Sequence, residues 1–507
     1  MKISILDYLE DNLYERQNKI AFRDETREVS YGSFISRAKQ IASYFLEKEV
    51  KNMAIAIYLD KTVDCLEAMF GCMYSSNIYC VLDIYSPKNR ITTILDTLNP
   101  KIILTESRYM QEVADIKYDG AAIIQIDEIT NDLSEKKLLE CRKKIIDQDP
   151  VYVLFTSGST GIPKGTVVCH RSVINYIDSV INIFQLDSMT HFGSQTPFYF
   201  SMSVLDVYAN IFAGSTLTII PKLLFAFPVK LIAFLNENRI NTIYWVPTAM
   251  SIVANRKTFS AVKPEYLKCV LFAGEVMPVK QLNYWIDNLP ELVYANLYGP
   301  TEITDTGTFY IVDRKFENNE SLPIGISFPN SDVILLTEGN QLASDGEEGE
   351  ICFRGSFLGA GYYNNWEKSQ EVFCQNPLNT SFFERIYRTG DIGKYNEKGE
   401  LLYVSRKDFQ IKKSGYRIEL GEIECNALSI EEVKDCVCVY DDEESKIIMY
   451  YTGNICENDL INMLHVKIAK YMYPDVYIKK KAIPINSNGK FDRIQLLEEY
   501  KNENINK

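Results

Sequence analysis

Apolar positions recur three and four residues apart over residues 7–15 and 31–49, which predicts helices with one buried face. Short continuous apolar runs stand after them, Met53-Ala54-Ile55-Ala56-Ile57-Tyr58 and Lys101-Ile102-Ile103-Leu104-Thr105, and these read as buried strands. The alternation continues through Thr216-Leu217-Thr218-Ile219-Ile220, Asn241-Thr242-Ile243-Tyr244-Trp245 and Lys268-Cys269-Val270-Leu271-Phe272, each beside a helical pattern. Strands alternating with helices predict an α/β architecture whose sheets are mixed or substantially parallel. After about Ser321 the texture changes: runs shorten, and turn signals multiply, as in Thr337-Glu338-Gly339-Asn340 and Asn396-Glu397-Lys398-Gly399. A β-rich region is expected there, followed by a last segment of mixed α+β pattern. Residues 397–408 read as a hairpin running into a domain junction, and the polar tail 501–507 reads as frayed.

The chain's 507 residues leave room for two or three hydrophobic cores, and 12% aromatic content excludes disorder as the dominant state. Its 68 acidic against 54 basic residues, a net charge of −14, disfavour a nucleic-acid partner, which calls for a basic surface. No uncharged apolar run is long enough for a membrane span, and charge interrupts the N-terminal segment too soon for a secretory signal; a soluble, cytoplasmic protein is expected. Twelve scattered cysteines and three distant histidines make a zinc site improbable. Cys436 and Cys438, two apart, suggest one face of a strand, and reduced thiols are the plain expectation.

The densest chemical signal is Phe155-Thr156-Ser157-Gly158-Ser159-Thr160-Gly161-Ile162-Pro163-Lys164-Gly165, directly after the apolar run 151–154. Hydroxyls and glycines at this density offer side-chain and backbone donors to phosphate oxygens, with Lys164 as a mobile cation. Pro-Lys-Gly stands where a Walker loop needs Gly-Lys-Ser/Thr entering a helix, so that pattern is excluded. A flexible surface loop is the competing reading of this segment alone.

Further motifs follow in order: Asn296-Leu297-Tyr298-Gly299-Pro300-Thr301-Glu302, Tyr387-Arg388-Thr389-Gly390-Asp391, Ser405-Arg406-Lys407-Asp408-Phe409-Gln410-Ile411-Lys412, running on into Gly415-Tyr416-Arg417-Ile418-Glu419-Leu420-Gly421-Glu422-Ile423-Glu424, and Asn488-Gly489-Lys490-Phe491-Asp492-Arg493. With the weaker Val29-Ser30-Tyr31-Gly32-Ser33-Phe34, they make the whole chain resemble the adenylate-forming superfamily: acyl-CoA synthetases, luciferases and nonribosomal peptide synthetase adenylation domains. The resemblance implies a large N-terminal domain over 1–407, with its β-rich part at about 321–407. It also implies a small mobile C-terminal domain over 408–507, with its hinge at Asp408. It implies activation of a carboxylic acid by ATP and Mg²⁺ to an acyl-adenylate, then capture by a thiol.

Under that resemblance Thr156, Ser157, Gly158, Ser159, Thr160 and Lys164 would hold the β- and γ-phosphates. Thr301 would touch the α-phosphate, Glu302 would ligate Mg²⁺, Tyr298 would stack on adenine with Asn296 near its amino group, and Gly274, Glu275, Leu297 and Gly299 would also bind the nucleotide. Asp391, with Arg406 close by, would take the ribose hydroxyls, and Lys490 would bridge the substrate carboxylate and the α-phosphate. Read singly, Tyr298 could be core, Asp391 a turn residue and Glu302 a charge answering a helix dipole. Ser405 and Ser414 stand where the family often carries Gly and Arg.

The sequence around Glu419 to Glu424 and the chain's length resemble the carrier-protein branch, which includes D-alanyl ligases and stand-alone amino-acid adenylation enzymes. That branch usually holds an α-ammonium with an Asp where this chain has Ser201. A buried cation facing a hydroxyl is poorly compensated, so an α-amino acid is disfavoured. Counting without gaps, the acid pocket would comprise Ser201, Met202, Leu205, Tyr244, Leu271, Ala273, Leu297, Asp305 and Thr306, with Asp305 at the far end from Lys490. An apolar slot ending in an acceptor suits an aryl acid such as 4-hydroxybenzoate or 4-aminobenzoate. An ω- or β-amino acid, or a proline- or D-alanine-like one, is the alternative, and a one-residue gap would turn Asp305 away. No Gly-Gly-x-Ser attachment site occurs, so the acceptor is expected to be a separate phosphopantetheinylated carrier protein or coenzyme A. A catalytically silent homologue is the remaining alternative, which Lys164, Glu302, Asp391 and Lys490 oppose.

Overall fold

The computed structural model describes residues 2–116, 118–158, 162–317, 320–407, 410–484 and 491–505. The expected helix over 31–49 forms at Tyr31–Glu47, where the Ser30 hydroxyl caps the Ser33 amide and Tyr31, Phe34, Ile35, Ala38, Ile41 and Phe45 share the buried face. The expected helix over 7–15 is instead two short ones, Ile5–Leu9 and Leu13–Arg16. The reason is local: Ser4 and Asp7 form a reciprocal cap that starts the first helix early, and Asn12 at φ 50° breaks the register between them.

Two large sheets carry the fold. In one, Thr216–Ile219, His191–Ser194, Thr242–Trp245, Cys269–Phe272 and Val293–Tyr298 run parallel side by side, and Thr308–Ile311 returns antiparallel. In the other, Ile78–Val81, Ala54–Tyr58, Ile102–Thr105 and Ala122–Gln125 are parallel, and Pro150–Thr156 joins them beside an antiparallel Lys164–Cys169. The all-apolar strand Ala54–Tyr58 is buried on both faces, Ile55 and Ile57 in the main core and Ala54, Ala56 and Tyr58 in a second cluster. That main core runs from Ile5 to Leu401 and joins both sheets.

The expected β-rich region is an antiparallel sheet of Ser331–Leu336, Gly349–Gly355, Arg385–Tyr395, Phe373–Gln375 and Leu401–Arg406. Beyond it, Val433–Asp441, Lys446–Gly453 and Val476–Lys479 form a three-stranded sheet with an apolar cluster on each face. Cys436 and Cys438 share one of those faces, and all twelve cysteines are free thiols. Among the described residues no helix is long and apolar enough to cross a membrane.

Candidate active site

The hydroxyl- and glycine-rich loop closes a hairpin. Pro150–Thr156 and Lys164–Cys169 pair antiparallel, with Thr156 opposite Lys164, so after the loop the chain returns to a strand rather than entering a helix. The loop's own amides and hydroxyls and Lys164 can donate to an anion there. Thr156 Oγ1 is buried and has no hydrogen-bond partner among the described residues, as a hydroxyl awaiting a ligand oxygen would be. Burial pushes the Lys164 ammonium's pKa down and Arg417 adds to this, against the carboxylates of Glu302 and Glu419. Ser159 and Thr160 lie outside the described residues, as do Asp408 and Lys490.

Glu302 sits in a single 3₁₀ turn, Thr301–Ile303, just past the strand Val293–Tyr298, and its side chain is fully buried. Arg417 Nη1 donates to both its oxygens, at 3.0 and 2.8 Å, and the Tyr362 hydroxyl donates at 2.7 Å. Burial alone would raise its pKa, but Arg417 and Lys164 overcome that and hold it at about 2. A permanently ionised, buried carboxylate demands a cation. It therefore fits a hard ion such as Mg²⁺, and here Arg417 answers that demand. Thr301 Oγ1 lies 3.1 Å from Ser201 Oγ, which brings the expected α-phosphate contact beside the expected amine-anchor position.

Of the expected nucleoside residues, Tyr298, Asp391 and Arg406 meet at the ends of two sheets. Asp391 and Arg406 face each other across the strand pair Arg385–Tyr395 and Leu401–Arg406, with Arg406 Nη1 donating to Asp391 Oδ1 at 2.6 Å. The Tyr298 hydroxyl donates to Asp391 Oδ2, and Lys412 Nζ stands 5.4 Å over the Tyr298 ring. Asn296 Nδ2 donates to the Pro323 carbonyl at 2.8 Å. A Cβ at Gly299 would fall 2.5 Å from Thr306 Cα, so only glycine lets this strand end lie against the acid-side backbone. Gly274 lies in the left-handed region at φ +93°, and Glu275 accepts from both the amide and the hydroxyl of Thr248, at 2.9 and 2.7 Å.

Several of the expected acid-pocket positions lie on neighbouring strands. Tyr244 and Leu271 are register partners on adjacent parallel strands, and Leu271 pairs with Ala295. Ala273 and Leu297 lie two residues further along, hence on the same face. Met202 and Leu205 come from the start of the helix Ser203–Ala213, and every one of these except Ser201 is buried. Asp305 does not turn away: its Oδ2 accepts from the Tyr244 hydroxyl at 3.1 Å and the Tyr176 hydroxyl at 2.8 Å. Tyr176 also meets Thr306 Oγ1 at 2.9 Å. Burial raises the Asp305 carboxyl to about 8 despite those two bonds, and nearby Asp206 raises it further.

Several of these neighbours are absent from the sequence reading. Tyr176 lies on the helix His170–Phe184, in no motif, and its apolar surroundings give it the signature of a core residue. Arg417, Glu419 and Glu422 sit inside a recognised motif, yet nothing in their spacing points them at the loop near residue 157. Their placement there is tertiary.

A family model described as AMP-binding enzyme matches residues 9–363. Tyrocidine synthase 1 of Brevibacillus parabrevis is 30% identical over 501 residues, covering 98% of this chain and 45% of its own length. The chain thus spans under half the length of several curated relatives that it matches. The D-alanine–D-alanyl carrier protein ligase of Lacticaseibacillus casei (strain BL23) is 28% identical over 498 residues, covering 96% of this chain and 97% of its own. Among solved structures, the Vibrio cholerae adenylation domain AlmE in complex with glycyl-adenosine-5'-phosphate superposes with a TM-score of 0.85 at 18% identity, covering 99% of this chain and 98% of that one; at that identity the likeness concerns the fold.

Proposed function

Because the chain belongs to the AMP-binding enzyme family, we propose that it activates a carboxylic acid with ATP and passes the acyl group to the phosphopantetheine thiol of a separate carrier protein. The acid we propose lacks an α-ammonium and carries a polar group at its far end, an aryl acid such as 4-hydroxybenzoate or 4-aminobenzoate. The observation that carries this reading is Asp305. It is buried beside Tyr244 and Tyr176, whose hydroxyls both donate to its Oδ2. A carboxyl held largely protonated at neutral pH suits a neutral phenol or aniline better than an ammonium. At the near end Ser201 offers only a hydroxyl, leaving an α-ammonium without its countercharge.

In the first half-reaction a carboxylate oxygen attacks the α-phosphorus and the bond to pyrophosphate breaks. In the second the thiol sulfur attacks the acyl carbonyl and AMP leaves. The first step brings anion to anion, so cations and fixed donors must relieve the repulsion more in the transition state than before it. Thr156, Ser157, Gly158, Ser159, Thr160 and Lys164 would hold the outgoing phosphates, and Asp391 with Arg406 the ribose. Thr301 would orient the α-phosphate beside Ser201, and Lys490 would lie between the two reacting anions. Mg²⁺, held by Glu302, would supply charge neutralisation at the phosphates.

A second reading keeps the reaction and changes the acid. The relative from Lacticaseibacillus casei is named for D-alanine, and an ω- or β-amino acid could reach Asp305 with its ammonium if the carboxyl ionised on binding. Coenzyme A is the alternative acceptor. ATP–pyrophosphate exchange over 4-hydroxybenzoate, 4-aminobenzoate, benzoate, β-alanine, proline and D-alanine separates these. Exchange with the para-substituted benzoates and little with benzoate is the expected result. Exchange confined to amino acids overturns the aryl assignment, and exchange with none overturns the ligase.

A further inference from the structure

Asp305 is 2% exposed, and among the described residues no cation pairs with it. The charge of Asp206 opposes its ionisation further. A buried carboxylate without a countercharge is costly, so the group takes up a proton. Which of its oxygens carries that proton decides what Asp305 offers to an acid. Both tyrosine bonds end on the same oxygen, Oδ2, from Tyr244 at 3.1 Å and from Tyr176 at 2.8 Å. Both phenols keep their hydrogens, because burial and the adjacent Asp305 push them well above the usual tyrosine range. Tyr176 cannot turn aside, since its ring stands edge-on between Phe328 and Phe357, with centroids 5.9 and 5.5 Å away. Its hydroxyl has one hydrogen. Given to Asp305, that hydrogen leaves the Tyr176 oxygen to accept from Thr306 Oγ1 at 2.9 Å.

An oxygen that accepts two hydrogen bonds is the carbonyl-type oxygen of a neutral carboxyl, and the other oxygen is then the hydroxyl. We propose that Tyr176 is a positioning residue for specificity: donating to Oδ2 together with Tyr244, it fixes the Asp305 proton on Oδ1, so that Asp305 offers the acid an O–H donor and selects a far-end group able to accept. The inference rests on the aryl-acid reading and divides its two candidates. A phenol oxygen both accepts and donates. An aniline nitrogen donates but accepts poorly, because its lone pair is spread into the ring, and an ammonium accepts nothing. The favoured acid is therefore 4-hydroxybenzoate rather than 4-aminobenzoate. Tyr176 acts only through Asp305, from a helix outside every motif of the sequence.

Two readouts test this on the full chain. The infrared difference spectrum between wild type and Asp305→Asn at pH 7 is expected to contain the carbonyl band of a protonated carboxyl. In Tyr176→Phe that carbonyl oxygen loses one of its two donors, and the band is expected to move up in frequency. Carboxylate bands in its place, or a band that stays put in the folded variant, overturn the proposal. In ATP–pyrophosphate exchange, kcat/KM for 4-hydroxybenzoate over 4-aminobenzoate is expected to be roughly tenfold or more in wild type and to fall to within about threefold in Tyr176→Phe. Asp305→Asn is expected to keep the wild-type order, because its amide oxygen accepts from the two tyrosines and its NH₂ donates where Oδ1–H did. That variant decides the matter if Tyr176→Phe fails to fold, and a reversal towards 4-aminobenzoate in it overturns the proposal. Parity of the two benzoates in wild type sinks the proposal and leaves the aryl reading. Exchange confined to amino acids sinks the aryl reading and the preferred acid with it, and the infrared band then decides the place of the proton by itself.

Discussion

The nucleotide half and the acid half of this site are built in opposite ways. The nucleotide half is made of short contiguous runs at strand ends, where backbone groups and one or two charges act together: the loop after Thr156, the turn at Glu302, the facing pair Asp391 and Arg406. The expected acid half draws single positions from three neighbouring strands and the start of one helix, with Asp305 and Thr306 in the bend after the Glu302 turn. On the proposed reading phosphate and ribose are met by these contiguous runs. On the proposed reading the acid is met by isolated side chains.

That division predicts unequal effects. Replacing Lys490, the expected bridge between the two reacting anions, removes charge stabilisation made chiefly in the transition state. Lys490→Ala is expected to lower pyrophosphate exchange by roughly 10²–10³-fold with every acid. Thiol transfer from preformed adenylate should fall much less in rapid-quench assays. Equal losses in both half-reactions would mean that the lysine does not belong to the first step.

A change in the acid half should redirect rather than abolish. Ser201→Asp restores a carboxylate beside Thr301 and is expected to raise exchange with α-amino acids by roughly ten- to hundredfold while lowering it with aryl acids. Exchange that falls uniformly would place Ser201 with the nucleotide half and dissolve the comparison.

The smallest effect is on stability. Asp305 has a pKa of about 8 in the fold against 3.8 ordinarily, so the folded chain holds a proton that the unfolded chain has lost. Its contribution is therefore complete below about pH 4 and is lost as pH rises towards 8. Asp305→Asn should flatten the fall in Tm between pH 4.5 and 8 by roughly 2–4 °C, read by differential scanning calorimetry. Asp206, which burial also raises, to about 7, leaves a residual slope. An unchanged profile would mean that Asp305 is not buried and protonated as described.

The sequence made strand positions such as Ala54–Tyr58 and Cys269–Phe272 legible because a strand buried on both faces must be apolar throughout. It did not reveal the break at Asn12, where one left-handed residue outweighs a continuing apolar period. It singled out the loop after Thr156 but not its hairpin, since the second strand's pairing is decided 8 residues later at Lys164 opposite Thr156. Tyr176 was invisible: a tyrosine on the buried face of an apolar helix looks the same whether its hydroxyl meets a carbonyl or a pocket carboxyl. The charges of residues 417–422 were visible and their destination was not, because partners more than 100 residues apart are joined only by the packing of one core on another.

The central claim is that Asp305 reads the far end of the acid. Its most direct test is the ratio of kcat/KM for 4-hydroxybenzoate over benzoate, measured in the wild-type chain and in Asp305→Ala. A wild-type ratio of about a hundred or more that collapses towards unity in the variant is predicted. A ratio unmoved by the substitution would contradict the claim and leave Asp305 a core residue tied to two tyrosines.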